Sequence, residues 1–430
     1  MPQSNLRNPK DTCMLKVFTA SWALLLGMMF LMVGNGVQGT LLGIRGAIEG
    51  FSTIQMSIVM SAYFVGFLFG SRMAPELIRR VGHVRVFAAL GSMISAVLVL
   101  YAAIPDWVAW ALLRVVIGFA FSGVYVTAES WLNNTASNEN RGQALSLYMI
   151  VQMVGIIAAQ ALINFADPAG FLLFIIPSVL VSLAFAPILL SVSPAPTFGT
   201  TRSMSIRELY NVSPLGVVGI FLMGGVFAAM FGMTAVWGSI VGLSVLEISI
   251  FTGAIYFGGL VFQYPIGWLS DRMDRRKLLV IVALIGVAGG AVAVLFDLPF
   301  LGLAGVALII GGISNPLYSL LVAYTNDYLD GDQMAAASGG LLFVNGVGAI
   351  VGPLAIGWLM GVIGPSGFFL FIIVLMAMLA IYAMWRMTQR PAIPVAQTGP
   401  FAAVSPVVSA ATVEAVYSEL TEQQADAAQE

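Results

Sequence analysis

The chain is poor in charge. Of its 430 residues, 9% are Asp, Glu, Lys or Arg, while 59% are hydrophobic. A soluble domain carries roughly 25% charged residues, so a water-exposed surface cannot be covered and a soluble enzyme is excluded. Thiol and imidazole are equally scarce. One Cys and one His provide neither a disulfide scaffold nor a Cys/His metal site. A net charge of −2 leaves no basic face for nucleic acid. Cys13 lies in a polar N-terminal stretch and says little about redox compartment. The apolar runs hold no Cys nucleophile, His/Asp pair or carboxylate dyad, and no G-x-x-x-x-G-K-[ST] phosphate loop occurs. No cofactor or metal is therefore expected, and an intramembrane enzyme is the weakest reading. What the chain has in quantity is apolar sequence, with a mean hydropathy of +0.96. This is the composition of a polytopic membrane protein.

A helical span needs about 20 mostly apolar residues, because the hydrocarbon core is ~30 Å thick and a helix rises ~1.5 Å per residue. Twelve runs qualify: 17–41, 54–74, 84–104, 107–133, 141–165 and 170–191, then 214–240, 248–269, 278–296, 300–325, 335–360 and 367–387. Sixteen of the eighteen Lys and Arg residues fall on one side of these spans, leaving Arg45 on the other and Arg114 inside one. By the positive-inside rule both termini are cytoplasmic; an odd number of spans could not leave both ends on that side, so the charges support twelve. The first run is too long for a signal-peptide core and lacks a small-residue cleavage site, so it is expected to be retained. The expected organisation is a cytoplasmic N-terminus at 1–16, a six-helix bundle at 17–191 and a cytoplasmic linker at 192–213. A second six-helix bundle follows at 214–388, and a disordered cytoplasmic tail at 389–430 carries five carboxylates.

The two bundles repeat each other at an offset of about 193 residues: Tyr63 and Gly66 fall on Tyr256 and Gly259, Gly118 and Tyr125 on Gly311 and Tyr318, and Gln152 and Gly155 on Asn345 and Gly348. A shared offset across three helix pairs points to parallel six-helix repeats with a path between them.

The sharpest string is Gly267-Trp268-Leu269-Ser270-Asp271-Arg272-Met273-Asp274-Arg275-Arg276, in the loop after the eighth span. Gly267 permits close helix approach, Asp271 can face the positive N-terminus of a neighbouring helix, and the arginines can bind carboxylates or lipid phosphates. Such a cluster suits a latch that holds the halves together in one state and releases them in another. It resembles the G-x-L-[SA]-D-R-x-[GD]-R-[RK] loop of the major facilitator superfamily. The equivalent first-half loop keeps Arg80 and Gly82 but has Arg79 where the family has Asp, so its latch is built differently. His83 in that loop is expected to be solvated. In the fourth span Arg114 and Gly118 are similar to the superfamily's R-x-x-x-G motif. The stretch Thr127-Ala128-Glu129-Ser130-Trp131-Leu132-Asn133, followed by Arg141-Gly142-Gln143, resembles the YcaD-like permease branch, as do Glu49-Gly50-Phe51-Ser52 and Gly82-His83. The resemblance covers 17–388 and implies an all-α fold of twelve transmembrane helices in two six-helix pseudo-repeats, a bacterial inner-membrane location and alternating-access transport. The G-x-x-x-G-P of the family's drug/proton antiporters is missing from the fifth span, where Gly155 is followed by Gln160 without Pro. Gly348, Gly352, Pro353 and Gly357 stand instead on the eleventh.

At ~100° per residue, Arg114, Gly118, Phe121, Ser122, Tyr125 and Glu129 share one helix face. Burying an Arg near mid-bilayer costs roughly 2.5–3.5 kcal/mol on insertion scales, so Arg114 either faces the solute path or braces the first and fourth spans. Glu129, about 22 Å further along the helix, is expected at the cytoplasmic edge, either as a proton carrier or paired with Arg72, Arg79 or Arg80. Asp327 is expected to pair with Arg272 or Arg275. The superfamily's cavity is lined mainly by spans one, four, seven and ten, which makes Asn35, Gln38, Tyr125, Trp237, Asn315 and Tyr318 candidates. Gln152 and Asn345 join them from spans five and eleven. A polar, cationic first half facing an aromatic second half suits a small organic anion or zwitterion. The alternatives are a drug or lysolipid exporter and a non-transporting sensor or assembly factor using the same fold. Membrane lipid and a coupling proton are the other expected partners, and the protein is expected to be a monomer.

Overall fold

The computed structural model describes residues 9–135, 141–190 and 204–404. Apolar runs long enough to cross a bilayer become helices: α1 (Pro9–Ile48), α2 (Thr53–Val81), α3 (His83–Ala103), α4 (Trp107–Thr135), α5 (Arg141–Ile163) and α6 (Leu172–Ala184) form the first half. The second half holds α7 (Pro214–Ile240), α8 (Val245–Ser270), α9 (Arg275–Leu295), α10 (Phe300–Asn326), α11 (Gly331–Ile363) and α12 (Gly367–Gln389). Among the described residues, eleven helices are long and apolar enough to span a membrane, and the apolar stretch Leu172–Ile188 is shorter. The sixth run therefore departs from a continuous span. Its helix breaks at Phe185 and resumes over Ala186–Leu190, because Pro187 lacks an N–H and its ring crowds the carbonyl four residues back.

Helix starts follow local chemistry. Ser52 with Gln55 opens α2 and Ser244 with Glu247 opens α8, each as a reciprocal capping box, so the repeat extends to the caps. Within the halves, α2 packs on α4 and α1 on α5, as α8 packs on α10 and α7 on α11. The repeated glycines make these crossings close. A Cβ on Gly118 would lie 2.0 Å from the Tyr63 carbonyl oxygen, and one on Gly311 would lie 2.2 Å from that of Ile255. The halves meet through α2–α11, α1–α7 and α5–α8. Helices α7 and α10 are the most enclosed, while the periphery exposes large apolar side chains such as Phe69, Leu112, Leu301, Trp358 and Ile381. Such a surface faces hydrocarbon rather than water.

The linker contains a helix, and the tail read from sequence as disordered is ordered in part. In the linker, Ser205 and Glu208 cap a short helix over Ile206–Val212 whose Leu209 is buried. In the tail, residues 390–404 pack against the second half, with Pro400, Ala402 and Val404 buried. Composition alone misses the tail's order, because it comes from tertiary hydrogen bonds. Residues 1–8, 136–140, 191–203 and 405–430 lie outside the described residues, as do the side chains of Arg141 and Gln143.

Candidate functional site: a cavity between the halves

Polar residues on α1 and α4 are joined into one chain of hydrogen bonds. The Arg114 Nη1 group donates to Gln38 Oε1 at 2.5 Å, and Gln38 Nε2 donates to Asn35 Oδ1 at 3.0 Å. Asn35 Nδ2 in turn donates to the Tyr125 hydroxyl at 2.9 Å. Gln38 and Asn35, one helical turn apart, each spend an oxygen and a nitrogen on this chain, so their amide orientations are determined by it. The guanidinium also reaches Met60 Sδ at 2.9 Å and lies 5.0 Å from the Tyr63 ring centroid. Arg114 is 3% exposed. Among the described residues no carboxylate pairs with it, and its Nε has no hydrogen-bond partner.

These residues line a cavity of about 140 Å³ between the two halves. Of the residues expected there, Arg114, Asn35, Gln38, Tyr125, Gln152, Asn315 and Asn345 lie in its wall. Trp237 does not. It sits among Phe251, Phe368 and Phe369 at 5.1–5.2 Å between ring centroids, where three aromatic neighbours bury it inside the second half. Tyr318 is likewise outside the wall, packed edge-on against Phe227 at 6.0 Å. Sequence reading missed Tyr63, Phe64 and Phe67 of α2 and Thr252 and Tyr256 of α8, all in the wall. Tyr63 and Tyr256 were already visible as a pair at the repeat offset, which was the signal available for them.

The second-half wall is an aromatic stack. Phe227 and Phe231 lie 5.6 Å apart at 12°, and Phe231 and Tyr256 lie 4.9 Å apart at 14°. A π-helical turn at Ala229–Met233 accompanies this wall; such insertions recur at functional sites because they re-aim the side chains of one turn. Two further buried atoms in the wall, Thr252 Oγ1 and Asn345 Oδ1, lack hydrogen-bond partners. Leaving buried polar atoms unpaired costs about 1–3 kcal/mol each, so the cavity is built with unmet polar demand on both sides.

The charged residues nearer the basic end differ from expectation in three respects. Glu129 is fully buried and accepts from the Tyr148 hydroxyl at 3.2 Å. The loop arginines expected to pair with it are engaged elsewhere: Arg79 and Arg80 bind Glu76, and Arg72 lies over the Phe343 ring at 4.2 Å. His83 is not solvated either, because its position opening α3 turns the ring inward, 1% exposed, with Nε2 2.9 Å from Ser130 Oγ. Gly82 separates α2 from α3 with φ of +85°, a conformation that favours glycine.

The third difference concerns the loop after α8. Arg275 makes the expected pair with Asp327 at 2.5 Å, and it also contacts Ser270 Oγ at 3.1 Å and Asp271 at 3.6 Å. Burial pushes the Asp327 carboxyl above its ordinary value against the pull of Arg275. Arg276 pairs with Asp274 at 2.9 Å and Arg272 stacks over Trp268 at 4.1 Å. Asp271 accepts the Phe401 N–H at 2.9 Å rather than facing a helix N-terminus, and the Phe401 ring covers Gly267. Among the described residues, every hydrogen-bonding or ion-pairing partner of this loop therefore belongs to the second half or the tail, and none ties it to the first half.

A twelve-run helical membrane protein with duplicated halves and a polar cavity between them has the architecture of a secondary transporter. Residues 24–255 and 215–420 match the sequence model of the Major Facilitator Superfamily, and the chain belongs to that family. It is 28% identical over 348 residues to a protein called "Uncharacterized MFS-type transporter YcaD" in Escherichia fergusonii, covering 79% of this chain and 88% of that one. To the Salmonella arizonae protein of the same description it is 26% identical over 334 residues, covering 77% and 86%. In fold it is similar to the nucleoside transporter NupG, with a TM-score of 0.67 at 15% identity over 87% of this chain and 98% of that one. It is also similar to a bacterial homolog of the human lysosomal transporter Spinster in an inward-facing, occupied conformation. That TM-score is 0.70 at 14% identity, over 89% and 99% of the two chains. The protein is thus a multi-pass secondary transporter of small solutes, located in the bacterial inner membrane.

Proposed function

We propose that the solute is a small organic anion or zwitterion with a flat apolar portion, carried through the central cavity by alternating access. One observation carries this reading: Arg114 is a buried cation in the cavity wall with no carboxylate partner among the described residues. A buried charge without a counter-ion is costly, and a solute anion would supply the missing charge. The Phe227–Phe231–Tyr256 stack offers an apolar face for the remainder, while Thr252 Oγ1 and Asn345 Oδ1 await a donor such as an ammonium or hydroxyl. The solute crosses unchanged, so no chemical step is assigned to any residue. Residues 17–191 and 214–388 act as the two rocking halves, joined by the linker at 192–213. The basic face is cytoplasmic and carries both termini, its arginines lying at lipid headgroup level. The protein works as a monomer, and a proton is the proposed coupling ion.

The test is a thermal-shift panel of organic anions, zwitterions and neutral analogues on detergent-purified protein, since a bound solute raises stability by mass action. Stabilising anions should lose their effect in Arg114→Gln, while the ligand-free variant keeps its fold. An anion that stabilises parent and variant equally would sink the reading. In liposomes, an imposed pH gradient should accelerate transport of the stabilising solute; an unchanged rate means facilitated diffusion.

A further inference from the structure

A second cavity, of about 490 Å³, opens between α5 and α8 below the first. Met153 and Asn315 belong to the walls of both, so the two adjoin on the side of the basic end. Met149, Ile150 and Met153 of α5 supply one wall, and Leu260, Tyr264 and Trp268 of α8 the other. The remaining wall is the chain's own tail, through Phe401, Ala403 and Val404.

The tail is held along its backbone. Gly399 N–H donates to Asp327 Oδ1 at 3.0 Å and Phe401 N–H to Asp271 Oδ1 at 2.9 Å. Val404 both donates to and accepts from Ser319 Oγ at 3.0 Å. The Arg275 guanidinium donates to the Gly399 carbonyl, and Arg276 donates to that of Arg390 at 2.7 Å. Ser319 is fully buried and stands one helical turn from Asn315 of the central cavity. Polar side chains at the ends of α8 and α10, on α10 and at the start of α9 thus read the main chain of an extended segment, and its Pro400, Ala402 and Val404 are buried.

We propose that this vestibule is a binding site for an extended apolar peptide and that its resident occupant is the segment 394–404, which acts as a tethered plug in the solute path. The site explains why the Asp271–Arg275–Asp327 cluster has its partners in the second half and tail. Its side chains are committed to holding the plug. In this position the segment lines the gap that α5 and α8 must narrow for the basic face to close, so the plugged protein is held open toward that face. Release of the plug would be the regulated step. That consequence rests on the central cavity being the solute path, but docking of the segment does not.

The experiment reads docking directly. In a Cys13→Ser background, Ser319→Cys reports whether Val404 covers this position, by its rate of reaction with a small cationic methanethiosulfonate in lipid nanodiscs. The full chain should react slowly. A chain ending at Arg390 should react at least about tenfold faster, and a synthetic peptide of the sequence 394–404 should restore protection. Because a tethered segment is present at about millimolar effective concentration, the free peptide is supplied at that level. Phe401→Asp in the full chain, which folds independently of the truncation, should give the same acceleration. Equal reaction rates in the parent and Phe401→Asp overturn the proposal, as does a truncated chain that the peptide fails to protect. Loss of anion dependence on Arg114 would overturn the substrate reading and leave these rates unaffected.

Discussion

A guanidinium buried among Gln38, Met60 and Tyr63 is useful because of what its neighbours leave undone. Gln38 and Asn35 orient Arg114 without neutralising it, since an amide oxygen supplies a hydrogen bond and no net charge. The planar fork can hold Gln38 with one arm and still present the remaining donors, whereas an ammonium is a point charge on a flexible stem. Arg114→Lys should therefore retain selectivity for anions over neutral analogues while binding them about tenfold more weakly. Titration calorimetry with the anion found in the stabilisation panel measures both. Equal affinity for parent and variant would mean that charge alone, without the fork, is recognised. At this scale the sequence was informative about chemistry: a lone Arg in an apolar run demands a polar environment. It was silent about partners, because Met60 and Tyr63 lie 54 and 51 positions away.

Among the elements, α7 separates two tasks along one helix. Phe227 and Phe231 contribute to the cavity wall, Phe231 from within the π-helical turn at 229–233, and Trp237 is packed beyond that turn against Phe251, Phe368 and Phe369. Hydropathy makes all three aromatics equivalent; only the packing of α8 and α12 around Trp237 distinguishes an anchor from a wall. Trp237→Ala should cost about 3–5 kcal/mol, as large-to-small substitutions of buried aromatics do, lowering the unfolding midpoint in detergent. Affinity for the stabilising anion should remain unchanged. Weakened binding at an unaltered midpoint would return Trp237 to the solute path. The same limit applies to α2 and α8. Their Tyr63 and Tyr256 were legible as a repeated pair, but a repeat reports equivalence between halves rather than which face meets the cavity.

For the whole molecule, the asymmetry of charge predicts the orientation. In the twelve-span topology expected from sequence, sixteen of eighteen Lys and Arg residues fall on one side, which the positive-inside rule assigns to the cytoplasm. In a Cys13→Ser background, Arg79→Cys should react with an impermeant maleimide in inside-out vesicles and remain unlabelled in right-side-out ones; the opposite pattern would invert the protein. The exposed Arg79 side chain, 62% accessible and paired only locally with Glu76, makes the labelling a report on sidedness rather than folding. Orientation also decides from which compartment the 390–404 segment enters the vestibule.

By itself the sequence determined the helical membrane class, the number of apolar runs, the duplicated halves, the family and the residue type on which substrate recognition is staked. These follow from quantities that are local or periodic along the chain: hydropathy over 20 residues, charge in the loops and an offset of about 193 residues. Only the tertiary structure decided that Trp237 is an anchor, that Glu129 and His83 are buried, and that Pro187 leaves the sixth span broken. It also decided that the loop at 267–276 holds the tail rather than the first half. Each of these depends on which distant segments meet in space. A carboxylate such as Asp271 has the same sequence context whether its partner is a helix end, a lipid or the backbone of Phe401. The partner is selected by packing, where burial makes one hydrogen bond available and excludes the others.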